Sequence, residues 1–209
     1  MKARIFVTGI STEVGKTLAS AILTEALEAD YWKPVQAGDL QASDSQKVRA
    51  LVSNGRSVFH PSAYALNTPM SPHAAAEIDG IRIRVADIAE PETDNHLVIE
   101  GAGGLLVPLN DSETIADLVK PGYRVVVVSR HYLGSINHTL LTLEALRYRG
   151  HSPVLLYSGD PHPSTESIIR TRTGIPVLGR IPELTEIGPE TIRTCASGLR
   201  SQIETYLLA

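Results

Sequence analysis

Arg4-Ile5-Phe6-Val7-Thr8-Gly9-Ile10-Ser11-Thr12-Glu13-Val14-Gly15-Lys16-Thr17 is an apolar run that passes through a glycine-bearing loop into Gly-Lys-Thr. A strand followed by such a loop and a helix is the sequence form of a phosphate cradle. Backbone N–H groups of the loop and the N-terminus of the next helix face the phosphates, and Lys16 adds a positive charge. The Thr17 hydroxyl is then placed to ligate a Mg²⁺ held between phosphate oxygens. The usual Gly-x-x-x-x-Gly-Lys-Thr spacing would need glycine at position 10, where this chain has Ile10. Its first glycine, Gly9, comes one residue earlier, so the loop is a longer variant.

Outward from this loop, strand-like apolar runs alternate with helical periodicity. The pattern predicts strands over 4–8, 30–33, 96–100, 123–129, 153–157 and 176–181. It predicts helices over 15–28, 44–53, 72–77, 84–89, 114–119, 136–149, 164–173 and 189–207. Val125-Val126-Val127-Val128 has no polar alternation, as expected of a central parallel strand covered on both faces. The fold expected is α/β: a parallel sheet flanked by helices on both faces, forming one P-loop nucleotide-binding domain over 1–209. Residues 54–72, with Pro61, Pro69 and Pro72, read as the least regular stretch, a long connection or a flap.

The 209 residues are 43% hydrophobic and 20% charged, enough for a core and ordinary for a soluble domain. A net charge of -4 gives no pull toward nucleic acid or an anionic membrane. No window reaches the roughly 18 apolar residues of a membrane span, and no signal peptide is read at the N-terminus. The single cysteine, Cys195, reads as a packed residue of the last helix rather than a nucleophile. The expected compartment is the cytoplasm.

In open parallel sheets, ligands lie at the carboxyl ends of the strands. After the run ending at Ile99 comes Glu100-Gly101-Ala102-Gly103-Gly104, an acid followed by glycines that permit close backbone approach. After Tyr31-Trp32 comes Lys33-Pro34-Val35-Gln36-Ala37-Gly38, then Asp44 in Ser43-Asp44-Ser45. Thr17, Asp44 and Glu100 offer three hard oxygens for magnesium. Asp44 also suits a helix cap, and a lysine before a proline is usually a solvated charge. Lys33, however, leaves the same sheet edge as the phosphate loop, so two lysines would converge where anionic charge is transferred.

Together these segments, with Ser71-Pro72-His73 and Leu133-Gly134-Ser135-Ile136-Asn137-His138, resemble dethiobiotin synthetase. The resemblance runs in order from residue 4 to about 184. It implies ATP- and Mg²⁺-dependent carboxylation of 7,8-diaminononanoate with CO₂, closing a ureido ring and releasing ADP and phosphate. It implies Lys16 on phosphate and carbamate, and Lys33 as the active-site lysine. The nucleotide would lie on Glu13, Val14, Gly15, Lys16, Thr17, Leu18, Asp44, Glu100, Gly101, Ala102, Gly103, Pro182, Glu183 and Leu184. Thr17, Asp44 and Glu100 would hold magnesium. Thr12, the Ala37 position and Asn137 would serve the diamine, Asn137 reaching the diamine bound by the partner of a homodimer. Read without the motif, Asn137 could equally be a helix cap, and His73 a structural hydrogen bonder.

The chain departs from this family in three places. Ala37 stands where Ser or Thr is frequent, and Ser11 where some members carry an acid. Ser158 stands where members commonly place an adenine-reading Asn. Two other classes fit less well. Partitioning ATPases carry a second loop lysine five residues before Lys16, and that position is Ser11. Amidotransferase-type synthetases need a nucleophilic cysteine that Cys195 does not supply. The sequence further predicts that Lys16→Ala and Lys33→Ala each lose most of the turnover and leave the fold intact.

Overall fold

The computed structural model describes residues 2–209. β1 (Arg4–Gly9) leads through the loop into α1 (Lys16–Leu27), then β2 (Asp30–Trp32), β3 (Val35–Ala37), α2 (Asp44–Leu51), β4 (Phe59–His60), β5 (Tyr64–Leu66) and α3 (Pro72–Ile78). The second half comprises β6 (Leu97–Gly104), β7 (Arg124–Arg130), α4 (Ser135–Tyr148), β8 (Val154–Ser158), α5 (Pro163–Thr173), β9 (Val177–Ile181) and α6 (Pro189–Ile203).

Seven strands form one sheet in the order β4-β2-β6-β1-β7-β8-β9, every pairing parallel. From β1 the chain crosses toward β2 on one side, and later from β7 to β8 and β9 on the other. Right-handed crossovers in opposite directions place the two sets of helices on opposite faces. Accordingly α1 packs with α2 and α6, while α4 packs with α5 and β7. The valines of β7 are fully enclosed, as their unbroken apolar run predicts. One connected cluster of buried side chains, from Ile5 and Phe6 to Leu207, fills both sides of the sheet.

Several sequence expectations are corrected. Residues 84–89 and 114–119 form short 3₁₀ turns, Val85–Asp87 and Ile115–Leu118, rather than helices. The stretch 54–72 contains β4 and β5, and β5 pairs with β3 in a small second parallel sheet. Strands of two or three residues carry no periodicity to read. β6 does not stop at Glu100; it continues to Gly104, so Glu100 sits within a strand, opposite Val7 of β1. The glycines that read as a loop instead let β6 run close under its neighbours. A Cβ at Gly101 would lie 3.1 Å from Ile115 and 3.3 Å from Phe6.

Candidate functional site

The first turn of α1 begins at Lys16 with Gly15 as its N-cap, and no side chain caps it. The amide N–H groups of that turn are therefore open to an anion, at the positive end of the helix dipole. Gly15 has φ +95°, and a Cβ there would lie 2.7 Å from Ser158 Oγ, so only glycine fits. Glu13, a non-glycine residue, is also left-handed at φ 56°, a local strain of the kind found where a loop must present its backbone to a ligand.

Lys16 is buried and donates to the Ser11 carbonyl at 3.0 Å. Burial lowers its pKa to about 8, partly offset by Glu100 and reinforced by Lys33. It remains largely protonated at neutral pH, with no carboxylate bonded to its ammonium group.

Beside it lies a buried polar network. Glu100, 1% exposed, accepts from Thr17 Oγ1 at 2.9 Å on Oε1 and from the Tyr31 hydroxyl at 2.9 Å on Oε2. Lys33, 4% exposed, lies 3.2 Å from Glu100 Oε1 and 2.6 Å from Asp44 Oδ2. Burial opposes the charge on Lys33, but the two carboxylates outweigh it and raise the pKa, so the side chain stays an ammonium. Burial likewise pushes Asp44 up, yet Lys33 and then Lys47 bring it below the ordinary carboxylate range. Tyr31 is held protonated well above its ordinary range by burial and by Glu100, which fixes it as a donor. Asp44 opens α2, but the cap is Ser43, in a capping box with Gln46. Freed from that task, the Asp44 carboxylate points to Lys33.

These residues line one cavity of 790 Å³. Thr12, Glu13, Gly15, Lys16, Thr17 and Leu18 form one wall, with Lys33, Asp44, Glu100 and Gly103 at its floor. Ser158, Pro182, Glu183 and Leu184 close the far end, where Arg130 pairs with Glu183 at 2.9 Å. Among the expected nucleotide residues, Val14, Gly101 and Ala102 do not line the cavity; Val14 is buried beneath the loop and the other two lie within β6. Ala37 and Asn137 are also outside it. Asn137 is the third residue of α4, exposed, and not its cap, a position taken by Gly134. His73 is exposed and its ring bonds Ser71 Oγ at 3.1 Å.

The sequence reading passed over Tyr31, Gln36 and Arg130. Tyr31 had a signal, because alternation along β2 puts it on the same face as Lys33. Gln36 accepts from the Asp44 amide and donates to the Gly38 carbonyl, steadying the start of α2, and nothing in its local sequence marks it.

The donor chemistry fits magnesium. Thr17, Asp44 and Glu100 are all hard oxygens, and Mg²⁺ typically takes one or two carboxylates, with phosphate and water completing its shell. Among the described residues Lys16 has no carboxylate bonded to its ammonium group, whereas Lys33 is paired with both Asp44 and Glu100 and stays charged.

A chain 56% identical over 204 residues, covering 97% of this one and 99% of its own length, is the ATP-dependent dethiobiotin synthetase BioD of Christiangramia forsetii. This chain belongs to the dethiobiotin synthetase family. The synthetase of Cytophaga hutchinsonii is 48% identical, with 92% of this chain and 95% of its own length covered. The family model described as an AAA domain matches residues 3–191. As a member of the dethiobiotin synthetases, the chain is an enzyme of the ligase class that uses ATP. Its fold is shared more widely. A plasmid partition protein from Borrelia burgdorferi superposes with a TM-score of 0.60 at 14% identity, covering 97% of this chain and 100% of that one. A putative partition protein from the same organism bound to AMPPNP gives 0.58 at 11% identity, covering 98% of each. At that identity the likeness is one of fold alone, and Ser11 stands where the partitioning loops carry their second lysine.

Proposed function

We propose that this chain carboxylates 7,8-diaminononanoate with CO₂ and ATP and closes the ureido ring of dethiobiotin, working as a single domain in the cytoplasm. The observation that carries the reading is the 56% identity to a named synthetase over nearly the whole chain. In this reaction one amine captures CO₂ as a carbamate, releasing a proton. A carbamate oxygen then takes the γ-phosphoryl group, releasing ADP. The second amine attacks the carbamoyl carbon, expels phosphate and loses its proton, which closes the ring.

Each step moves anionic oxygens, so positioned cations and amides supply most of the rate. The first-turn amides of α1 and Lys16 would hold the phosphates. Lys33, kept charged by Asp44 and Glu100, would stabilise the carbamate and the transferring phosphoryl group. Thr17, Asp44 and Glu100 would hold Mg²⁺, which neutralises charge on the phosphate oxygens. Pro182, Glu183 and Leu184 would border the base.

The diamine would bind beside the phosphate loop, where a second cavity of 440 Å³ is lined by Ser11, Thr12, Leu106, His138 and Leu141. Leu106, Leu133 and Leu141 are exposed around it, and Asn137 lies on the same helix as Leu141. An apolar surface of this kind supports a homodimer in which Asn137 serves the partner's diamine. No helix of the described residues is long and apolar enough to cross a membrane.

The test is product analysis after incubation with diaminononanoate, bicarbonate, Mg²⁺ and ATP. Dethiobiotin and ADP are expected in equal amounts. ATP turnover at the full rate without diamine would overturn the assignment in favour of a nucleotide switch.

A further inference from the structure

The far end of the nucleotide cavity is fixed from behind by a side chain that does not enter it. Arg180, on β9, lies on the opposite face of the sheet from the cavity, half-buried, with its guanidinium 5.3 Å over the Tyr157 ring. Its Nη1 donates to the main-chain carbonyls of Gly159 at 2.8 Å and Asp160 at 3.1 Å, and its Nη2 donates to Glu166. Glu166 in turn accepts from His131 Nε2 at 3.0 Å and from the His162 amide at 2.7 Å. Burial pushes the Glu166 carboxyl up, but the His162 amide, Arg180 and His131 outweigh it and keep it ionised. One guanidinium thereby joins β9, the start of α5 and the turn that follows β8.

That turn leaves β8 directly from the cavity's far wall. Ser158, the last residue of β8, lines the cavity and abuts Gly15. Gly159 is left-handed at φ +87°, and its amide donates to the Ile181 carbonyl at 2.9 Å. A Cβ at Gly159 would lie 3.3 Å from Glu183 Oε2, so the turn also sets where Glu183 stands. Without Arg180, two backbone carbonyls lose their fixed donor, and the turn beside the far wall is free to shift.

We propose that Arg180, held by Glu166 and His131, is a positioning residue that shapes the base end of the nucleotide site and leaves the phosphate end untouched. This rests on the reading of the 790 Å³ cavity as a nucleotide site. The planar fork of arginine satisfies both carbonyls and the carboxylate at once, a geometry lysine does not reproduce.

The experiment compares binding of MgATP and of inorganic triphosphate, which has no base, to the intact protein and to Arg180→Ala, Glu166→Gln and Lys16→Ala. For Arg180→Ala the Kd for MgATP is expected to rise about tenfold, the equivalent of roughly one charge-assisted hydrogen bond, with triphosphate binding unchanged. KM for ATP should rise in step, with kcat held within about twofold, the pattern of lost uniform binding. Glu166→Gln, which keeps the shape and removes the charge, should give a smaller rise in the same direction. Equal losses for MgATP and triphosphate in Arg180→Ala, or a fall in kcat at unchanged KM, would overturn the proposal. So would Glu166→Gln binding MgATP as tightly as the unaltered protein. If Lys16→Ala bound both ligands normally, the nucleotide reading itself would fall, a result distinct from failure of Arg180 alone.

Discussion

The two ends of the cavity proposed to hold the nucleotide are built on different physical terms. At the phosphate end, Lys16, Lys33 and Glu100 are buried, and of the Lys33–Glu100–Asp44 contacts only the Asp44 side chain, 22% exposed, reaches solvent. At the base end, Arg130 and Glu183 form their pair with side chains 44% and 55% exposed. A buried network is expensive to assemble and strongly destabilising to break in part, whereas a half-exposed ion pair is screened and worth little. The comparison teaches that the chemical end is rigid because its charges have nowhere else to go. The recognition end must take its shape from backbone anchoring.

The largest effect should follow Lys33→Ala. Removing the ammonium leaves Glu100 and Asp44 facing each other with Glu100 fully buried, a change that costs about 3–5 kcal/mol in comparable buried pairs. Turnover should fall by at least about 100-fold, as when a positioned charge-stabilising donor is deleted. The sequence alone predicts an intact fold; burial of Lys33 against Glu100 and Asp44 predicts a destabilised one. Urea unfolding of the variant checks it, and a midpoint equal to that of the unaltered protein would break the contrast between the two ends.

Lys16→Met should act in the opposite direction on stability. Burial lowers the Lys16 pKa from 10.5 to about 8, so the folded protein holds this proton less tightly than the unfolded chain. Between those values the unfolded chain binds more protons, and stability rises with pH. Removing the charge should therefore stabilise the nucleotide-free protein by about 1–3 kcal/mol at pH 7 while abolishing turnover. The gap between variant and unaltered protein should close as pH rises from about 8 toward 10.5. Unfolding midpoints at several pH values would measure it; a constant gap would show that the lysine is not held against its burial.

Much of the candidate site was legible because its residues fall in a loop whose spacing is itself informative and within or just after apolar strand runs. Lys16, Thr17, Asp44 and Glu100 come from three separate segments, and only sheet order brings them together. The parallel sheet followed from the alternation of apolar runs and helical stretches. What escaped notice has more than one cause. Tyr31 and Arg180 act through side chains whose partners lie far away in sequence, Glu100 being 69 residues from Tyr31 and Gly159 21 from Arg180, while Gln36 bonds locally in a stretch with no recognisable cap pattern. β4 and β5 are too short for any periodicity. The continuation of β6 through Gly104 was hidden because glycine reads as loop unless its neighbours are known to crowd it.

Tyr31→Phe sharpens the phosphate end further. It removes one of the donors on Glu100 together with the hydroxyl's contact to Ser45, and a hydrogen bond to a charged acceptor contributes about 1.5–3 kcal/mol. Stability should fall by that amount, less than for Lys33→Ala because Thr17 and Lys33 remain on the carboxylate. Activity should survive in part, with a weaker response to magnesium as Glu100 loses its fixed orientation. A magnesium titration that superimposes on that of the unaltered protein would remove Tyr31 from the orienting set.

The smallest effect belongs to the base end, and there ionic strength is the discriminating variable. Arg130→Ala and Glu183→Gln should each change stability by no more than about 1 kcal/mol. Their coupling in a double-mutant cycle should shrink as salt is raised to about 1 M, where the screening length falls to roughly 3 Å. The Lys33–Glu100 contact, with both side chains closed off from solvent, should show little such dependence. If the Arg130–Glu183 coupling instead persisted undiminished at high salt, the pair would have to be sheltered from solvent in solution. The base end would then belong with the buried network rather than opposite it.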